Sequence, residues 1–183
     1  MRGPRLELTV QYAAPASALP SPSQLRRWAR AALMRSARVT VRFVGGREGR
    51  ALNRNFRGQN HATNVLTFLM RERPRLEGDL ALCAPVIARE ARAQGKSAAA
   101  HYAHLVVHGV LHLQGYEHET GPEARAMERR ESRIVTGLGF PDPYLLKGGE
   151  KREERGARPN RKAEARPGPV ASRLRSPASR PHA

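Results

Sequence analysis

One stretch of eleven residues, HGVLHLQGYEH at positions 108–118, limits this chain more than any other. His108 and His112 are four residues apart, so on a helix they sit one turn above each other on the same face. Gly115 follows and can end that helix, because glycine takes the left-handed conformation other residues resist. The chain can then turn back and bring His118 to the same point. Three neutral imidazoles converging, with a fourth position left for water, is the layout of a catalytic zinc site. A fold for this chain therefore has to present a histidine helix, about residues 98–114 with Ser97 as its cap, beside a turn that returns.

The spacing is that of HExxHxxGxxH, the long zinc motif of one class of metalloproteases. In that motif a glutamate beside the first histidine acts as general base. Here the position is Gly109. The ligands are kept and the protease base is gone, which points to metal-assisted chemistry on something other than a peptide bond. His101 and His104 share the helical face of His108. They are either partners that hold a ligand imidazole or ordinary packed side chains.

Charge narrows the partners. The chain has 183 residues, room for one domain with a real core plus an extension, and a formal net charge of +17. Such an excess fits a polyanion, nucleic acid ahead of an anionic membrane surface. The single cysteine, Cys83, excludes an intramolecular disulfide, and its apolar surroundings read as a small buried hydrophobe. No run reaches the ~18 apolar residues of a membrane span. The start alternates and carries Glu7, unlike a signal peptide, so a cytoplasmic location is expected.

Periodicity predicts strands over 5–12, 37–45, 63–70 and 78–85, the last closed by Pro85. Helices are expected from Ser21, with Ser23 a possible N-cap, from Arg47, over 86–95, over 98–114, and after a capping box at Thr120–Glu123. This is an α+β pattern: a single domain, residues 1–146, with a central, mostly four-stranded mixed sheet packed by about five helices. From Lys147 the text turns to Pro, Gly, Ser and Arg with almost no large apolar residues. Residues 147–183 are expected to be a disordered basic tail, either holding RNA loosely through its phosphates or serving as a solubilising appendage.

Further segments join the histidine motif in a fixed order: LNRNFRG at 52–58, TNVLTF at 63–68, GDL at 78–80 and GFPDPY at 139–144. Together with HGVLHLQGYEH they closely resemble the YbeY family of bacterial endoribonucleases and rRNA maturation factors, over roughly residues 5–145. The resemblance implies a small α+β domain holding one zinc ion on His108, His112 and His118. It maps the family's functionally important arginine onto Arg57, which would otherwise read as an ordinary surface arginine. It implies a single-strand-specific, metal-dependent endoribonuclease acting in maturation of the 3′ end of small-subunit (16S) ribosomal RNA and in ribosome quality control. The partners it implies are ribosomal RNA, the small ribosomal subunit and its assembly factors, with neither a membrane nor a dinucleotide cofactor.

Two positions depart from the family pattern: Asn60 stands for an aspartate after Arg57, and Glu117 for an aspartate before the third histidine. Asp79 either orients a ligand histidine or caps a turn. Two other functions stay open at this point. One is a metal hydrolase of another substrate; the other is a non-catalytic, zinc-stabilised ribosome assembly factor.

Overall fold

Alternation along the strands separates a dry face of the sheet from a wet one. The structure, a computed structural model, describes residues 3–15 and 18–145. Its elements are β1 (Leu6–Tyr12), α1 (Pro22–Ala32), β2 (Ala37–Val44), α2 (Gly46–Arg57), β3 (Val65–Arg71), β4 (Leu76–Cys83), α3 (Ala84–Ala93), α4 (Ala98–Leu113) and α5 (Gly121–Gly137). The four strands lie in the order β1-β2-β4-β3. β1, β2 and β4 run parallel, and β3 pairs antiparallel with β4 at the edge. The sheet is thus mixed and carries five helices, the α+β domain its periodicity predicts. The expected tail, 147–183, lies outside the described residues.

On the dry face Val39, Val41, Phe43, Leu76, Leu80 and Leu82 are fully buried. α4 lies across them. It is apolar on nearly every side, with Leu105, Val106, Val107, Val110, Leu111 and Leu113 all buried, and a helix of that kind belongs inside a core. α1 and α5 cover it, and Trp28 of α1 meets Phe140 edge-on at 5.9 Å between ring centroids.

Two glycines let α4 come close. A Cβ on Gly109 would stand 2.7 Å from Leu80 Cδ2, and a Cβ on Gly78 would stand 2.3 Å from Leu113 Cδ2 and 2.9 Å from the Phe68 carbonyl oxygen. Helix and strand each give up a side chain where the other presses a leucine. Full core packing density at this contact depends on both omissions.

The opposite face is polar. Glu7, Arg38 and Glu77 stand in register across β1, β2 and β4. Arg38 meets both carboxylates, at 3.0 and 3.4 Å, and Arg75 meets Glu7 at 2.5 Å. Next along β2, Arg42 reaches Glu48 of α2 at 2.8 Å and Gln11 of β1 at 3.1 Å. Cross-strand pairs of opposite charge stabilise a sheet. α2 covers part of this same face. Its Phe56 packs edge-on against Phe68 of β3, and Phe68 pairs with Asp79, not with the Gly78 and Leu80 that α4 presses on. β3 therefore has α4 on one face and α2 on the other.

Several boundaries differ from the expectation. Ser21, not Ser23, is the N-cap of α1. Its hydroxyl accepts from the Gln24 N–H, and the Gln24 side chain accepts from the Ser21 N–H, a closed capping box with Pro22 at the first helical position. β3 starts two residues later than expected and β4 two residues earlier, since Gly78 serves close packing inside the strand. Pro85 opens α3 instead of closing β4, where its missing N–H costs no helical hydrogen bond. No helix among the described residues is long and apolar enough to cross a membrane.

Candidate metal centre

The three histidines of the motif meet. His108 and His112 project from one face of α4. Gly115, at φ +91°, turns the chain after the helix, and His118 arrives from the loop before α5. The ring centroids form a triangle of 4.5 Å (His108–His112), 4.8 Å (His112–His118) and 5.8 Å (His108–His118). One ring nitrogen from each lies within 4.8 Å of the others. The Thr120–Glu123 capping box opens α5 two residues after His118 and fixes the far end of this loop.

The arrangement of α5 supplies what the sequence reading missed. Glu131 is fully buried and sits between two histidines. Its Oε1 accepts from His108 Nδ1 at 2.8 Å and its Oε2 from His104 Nε2 at 2.7 Å. The Tyr144 hydroxyl donates to the same Oε2. Burial pushes the Glu131 carboxyl up, but the His104 and His108 donors outweigh it and hold it down at about 2, so the carboxylate is ionised and only accepts. His108 then donates from Nδ1, which leaves Nε2 as its ring nitrogen available to the cluster. The same burial and the negative charge of Glu131 push the Tyr144 hydroxyl far above its ordinary range, so it stays a donor.

Donor chemistry decides whether these residues suit a metal. His112 is held down to about 4, first by burial and then by the neighbouring His108 and His118 rings, so it is neutral at pH 7. Neutral imidazole is the form that zinc and its neighbours bind, and a neutral His112 beside a His108 whose Nδ1 is already engaged by Glu131 fits such an ion. A cavity lined by His108, His118, Met127, Glu128, Glu131 and Tyr144 opens beside the cluster.

The other candidates fall into place around it. His104 acts through Glu131, while His101, one turn earlier, pairs with Glu90 of α3 at 2.8 Å. Glu117 is exposed, with its Oε2 3.9 Å from His112 Nδ1. Asp79 lies on the face of the sheet opposite the Gly78 and Leu80 that α4 presses on. Arg57 is the last residue of α2, exposed, and among the described residues no hydrogen bond or ion pair joins it to the histidines. Asn60, after it, accepts from Arg50 Nε at 3.0 Å.

Gly109 has a structural reason as well as a chemical one. The position next to the first histidine faces the sheet, where Leu80 fills the space a side chain would need. A glutamate there would be driven into the core, not toward the cluster.

Comparison with known proteins bears on the same residues. The family model of endoribonuclease YbeY matches residues 21–139. Among curated relatives, an endoribonuclease YbeY of Aromatoleum aromaticum is 56% identical over 143 residues, covering 76% of this chain and 93% of its own length. One of Methylobacillus flagellatus is 53% identical over 141 residues, covering 77% of this chain and 95% of its own. Among solved structures, the solution structure of TM1509 from Thermotoga maritima is similar with a TM-score of 0.50 at 25% identity, over 73% of this chain and 88% of that one. The family match runs from the cap of α1 to the turn after α5 and takes in the whole histidine cluster with Glu131 behind it. The chain belongs to the endoribonuclease YbeY family.

Proposed function

We propose that the chain is a single-strand-specific, zinc-dependent endoribonuclease, with residues 1–146 as the catalytic domain, acting in the cytoplasm on the 3′ end of small-subunit (16S) ribosomal RNA and in ribosome quality control. Its partners on this reading are the small ribosomal subunit and its assembly factors. The observation that carries the catalytic part is the convergence of His108, His112 and His118, with His108 aimed by a buried carboxylate.

In this reading the three imidazoles hold one zinc ion. When bound, such an ion supplies Lewis acidity toward a phosphoryl oxygen and makes water a nucleophile near neutral pH. The chain's own residues do the rest. Glu131 keeps His108 in the tautomer that binds, and His104 and Tyr144 keep Glu131 in place. Arg57 clamps the scissile phosphate through two parallel N–H bonds and stabilises the negative charge that grows on it. No carboxylate is needed beside the first histidine, in keeping with Gly109.

Cleavage of precursor small-subunit rRNA by purified, metal-analysed protein tests this reading, with His112→Ala and Arg57→Ala alongside. His112→Ala is expected to lose both metal and cleavage. Arg57→Ala is expected to keep its metal and lose roughly 10²–10³ in rate, the usual effect of removing one transition-state donor. Equal cleavage by all three proteins would mean a contaminating nuclease and would overturn the assignment.

A further inference from the structure

Four arginines of α2 share one face. At about 100° per residue, Arg47, Arg50, Arg54 and Arg57 fall within about 80° of the helix circumference and along about 15 Å of its length. All four are exposed, and none forms an ion pair among the described residues. Arg50 alone has a side-chain partner of note, the neutral Asn60. The carboxylate of this helix, Glu48, turns to Arg42 on β2.

Helix stability does not account for the stripe. Arg47–Arg50, Arg50–Arg54 and Arg54–Arg57 are like-charge pairs at three or four residues' spacing, and each such pair disfavours the helix by about 0.2–0.5 kcal/mol. Arg54 and Arg57 gain something back at the negative end of the helix, but Arg47 stands in the first turn, at the positive end. A stripe that works against its own helix is accounted for by a partner of opposite charge.

We propose that this stripe is a phosphate track that holds single-stranded RNA along α2 and delivers it to Arg57. The proposal rests on the endoribonuclease reading and adds the path by which the substrate is held. Arginine side chains spaced along one face and free of acidic neighbours contact the backbone of a strand and not its bases, so the track is indifferent to sequence. α2 and α4 flank the edge strand β3 from opposite faces, so one open sheet edge lies between the track and the histidines.

The test uses the metal-loaded full chain and a fluorescent single-stranded oligoribonucleotide titrated over a series of salt concentrations. The variant R47Q/R50Q/R54Q leaves Arg57 and the histidines intact. A control of equal charge loss, R26Q/R30Q/R129Q, removes exposed arginines of α1 and α5. Loss of three phosphate contacts is expected to lower the slope of log K against log salt by about 2, at ~0.7 per contact, and to weaken binding at least about tenfold at low salt. KM for cleavage should rise while kcat holds, and the control should change far less. If wild type cleaves RNA and the two triple variants bind alike, the track fails and the enzyme assignment stands. If wild type neither binds nor cleaves RNA, the assignment falls and the track with it.

Discussion

The polar face of the sheet and the outer face of α2 are both rich in arginine, yet they treat it differently. On the sheet, Arg38, Arg42 and Arg75 each meet a carboxylate across a strand or from a neighbouring helix. On α2, four exposed arginines form no ion pair among the described residues. Matched charge is spent inside the molecule, where it sets register and orientation. Unmatched charge is left over for something outside. The distinction extends inward to Glu131, a charge matched by two histidines and a tyrosine with no exposure to water.

If matching separates structural from functional charge, removing a charge should affect stability in proportion to how well it is matched and how deeply it is buried. The largest effect is expected at Glu131. Glu131→Ala leaves His104, His108 and the Tyr144 hydroxyl without their acceptor, and breaking a buried, hydrogen-bonded network of this kind costs about 3–5 kcal/mol. Urea denaturation of the metal-free protein reads that loss, and a zinc competition titration reads an accompanying drop in affinity of roughly 10–100-fold. Unchanged values in both would show that the carboxylate neither supports the core nor aims His108.

At the exposed lattice of the sheet the effect should be small. Arg38→Gln removes two partly exposed ion pairs, and pairs held this far in water contribute little, so the thermal midpoint should fall only slightly. The loss should shrink further as salt is raised. The smallest change is expected on α2, and with the opposite sign. Arg47→Gln relieves one like-charge pair and an unfavourable meeting with the positive helix end, so the thermal midpoint should rise slightly, by the equivalent of a few tenths of a kcal/mol. A clear destabilisation by Arg47→Gln would give that arginine a structural role and blur the comparison.

What could be read in advance follows the range of the interactions involved. The histidine cluster was legible because its three members lie within one helix and the turn after it: a spacing of four residues and a glycine at the right place carry the geometry. The four strands and five helices were legible from local period. Glu131 was not, because its partners lie 23 and 27 residues earlier in sequence. A faint trace of it exists: Met127, Glu131 and Val135 form a buried stripe on α5 with a charge in the middle, and a carboxylate in an apolar stripe asks for a partner. The boundary errors also have local causes. Gly78 reads as the start of the strand, yet here it is a hole inside the strand that admits Leu113. Two serines flank Pro22, and the proline at the first helical position singles out Ser21.

The close contact between Gly109 and Leu80 also bears on which chemistries lie within mutational reach. One codon change at position 109 would write the metalloprotease pattern back into the sequence, but the new carboxylate would arrive inside the sheet packing, against Leu80. A smaller residue at 80 would not rescue it: that step opens a void under α4 that costs about 2–5 kcal/mol and leaves the carboxylate facing the sheet. Packing, more than the one-letter difference in the motif, therefore separates this arrangement from its peptidase counterpart. A directed-evolution search for peptide cleavage in this scaffold has to supply its base from another position.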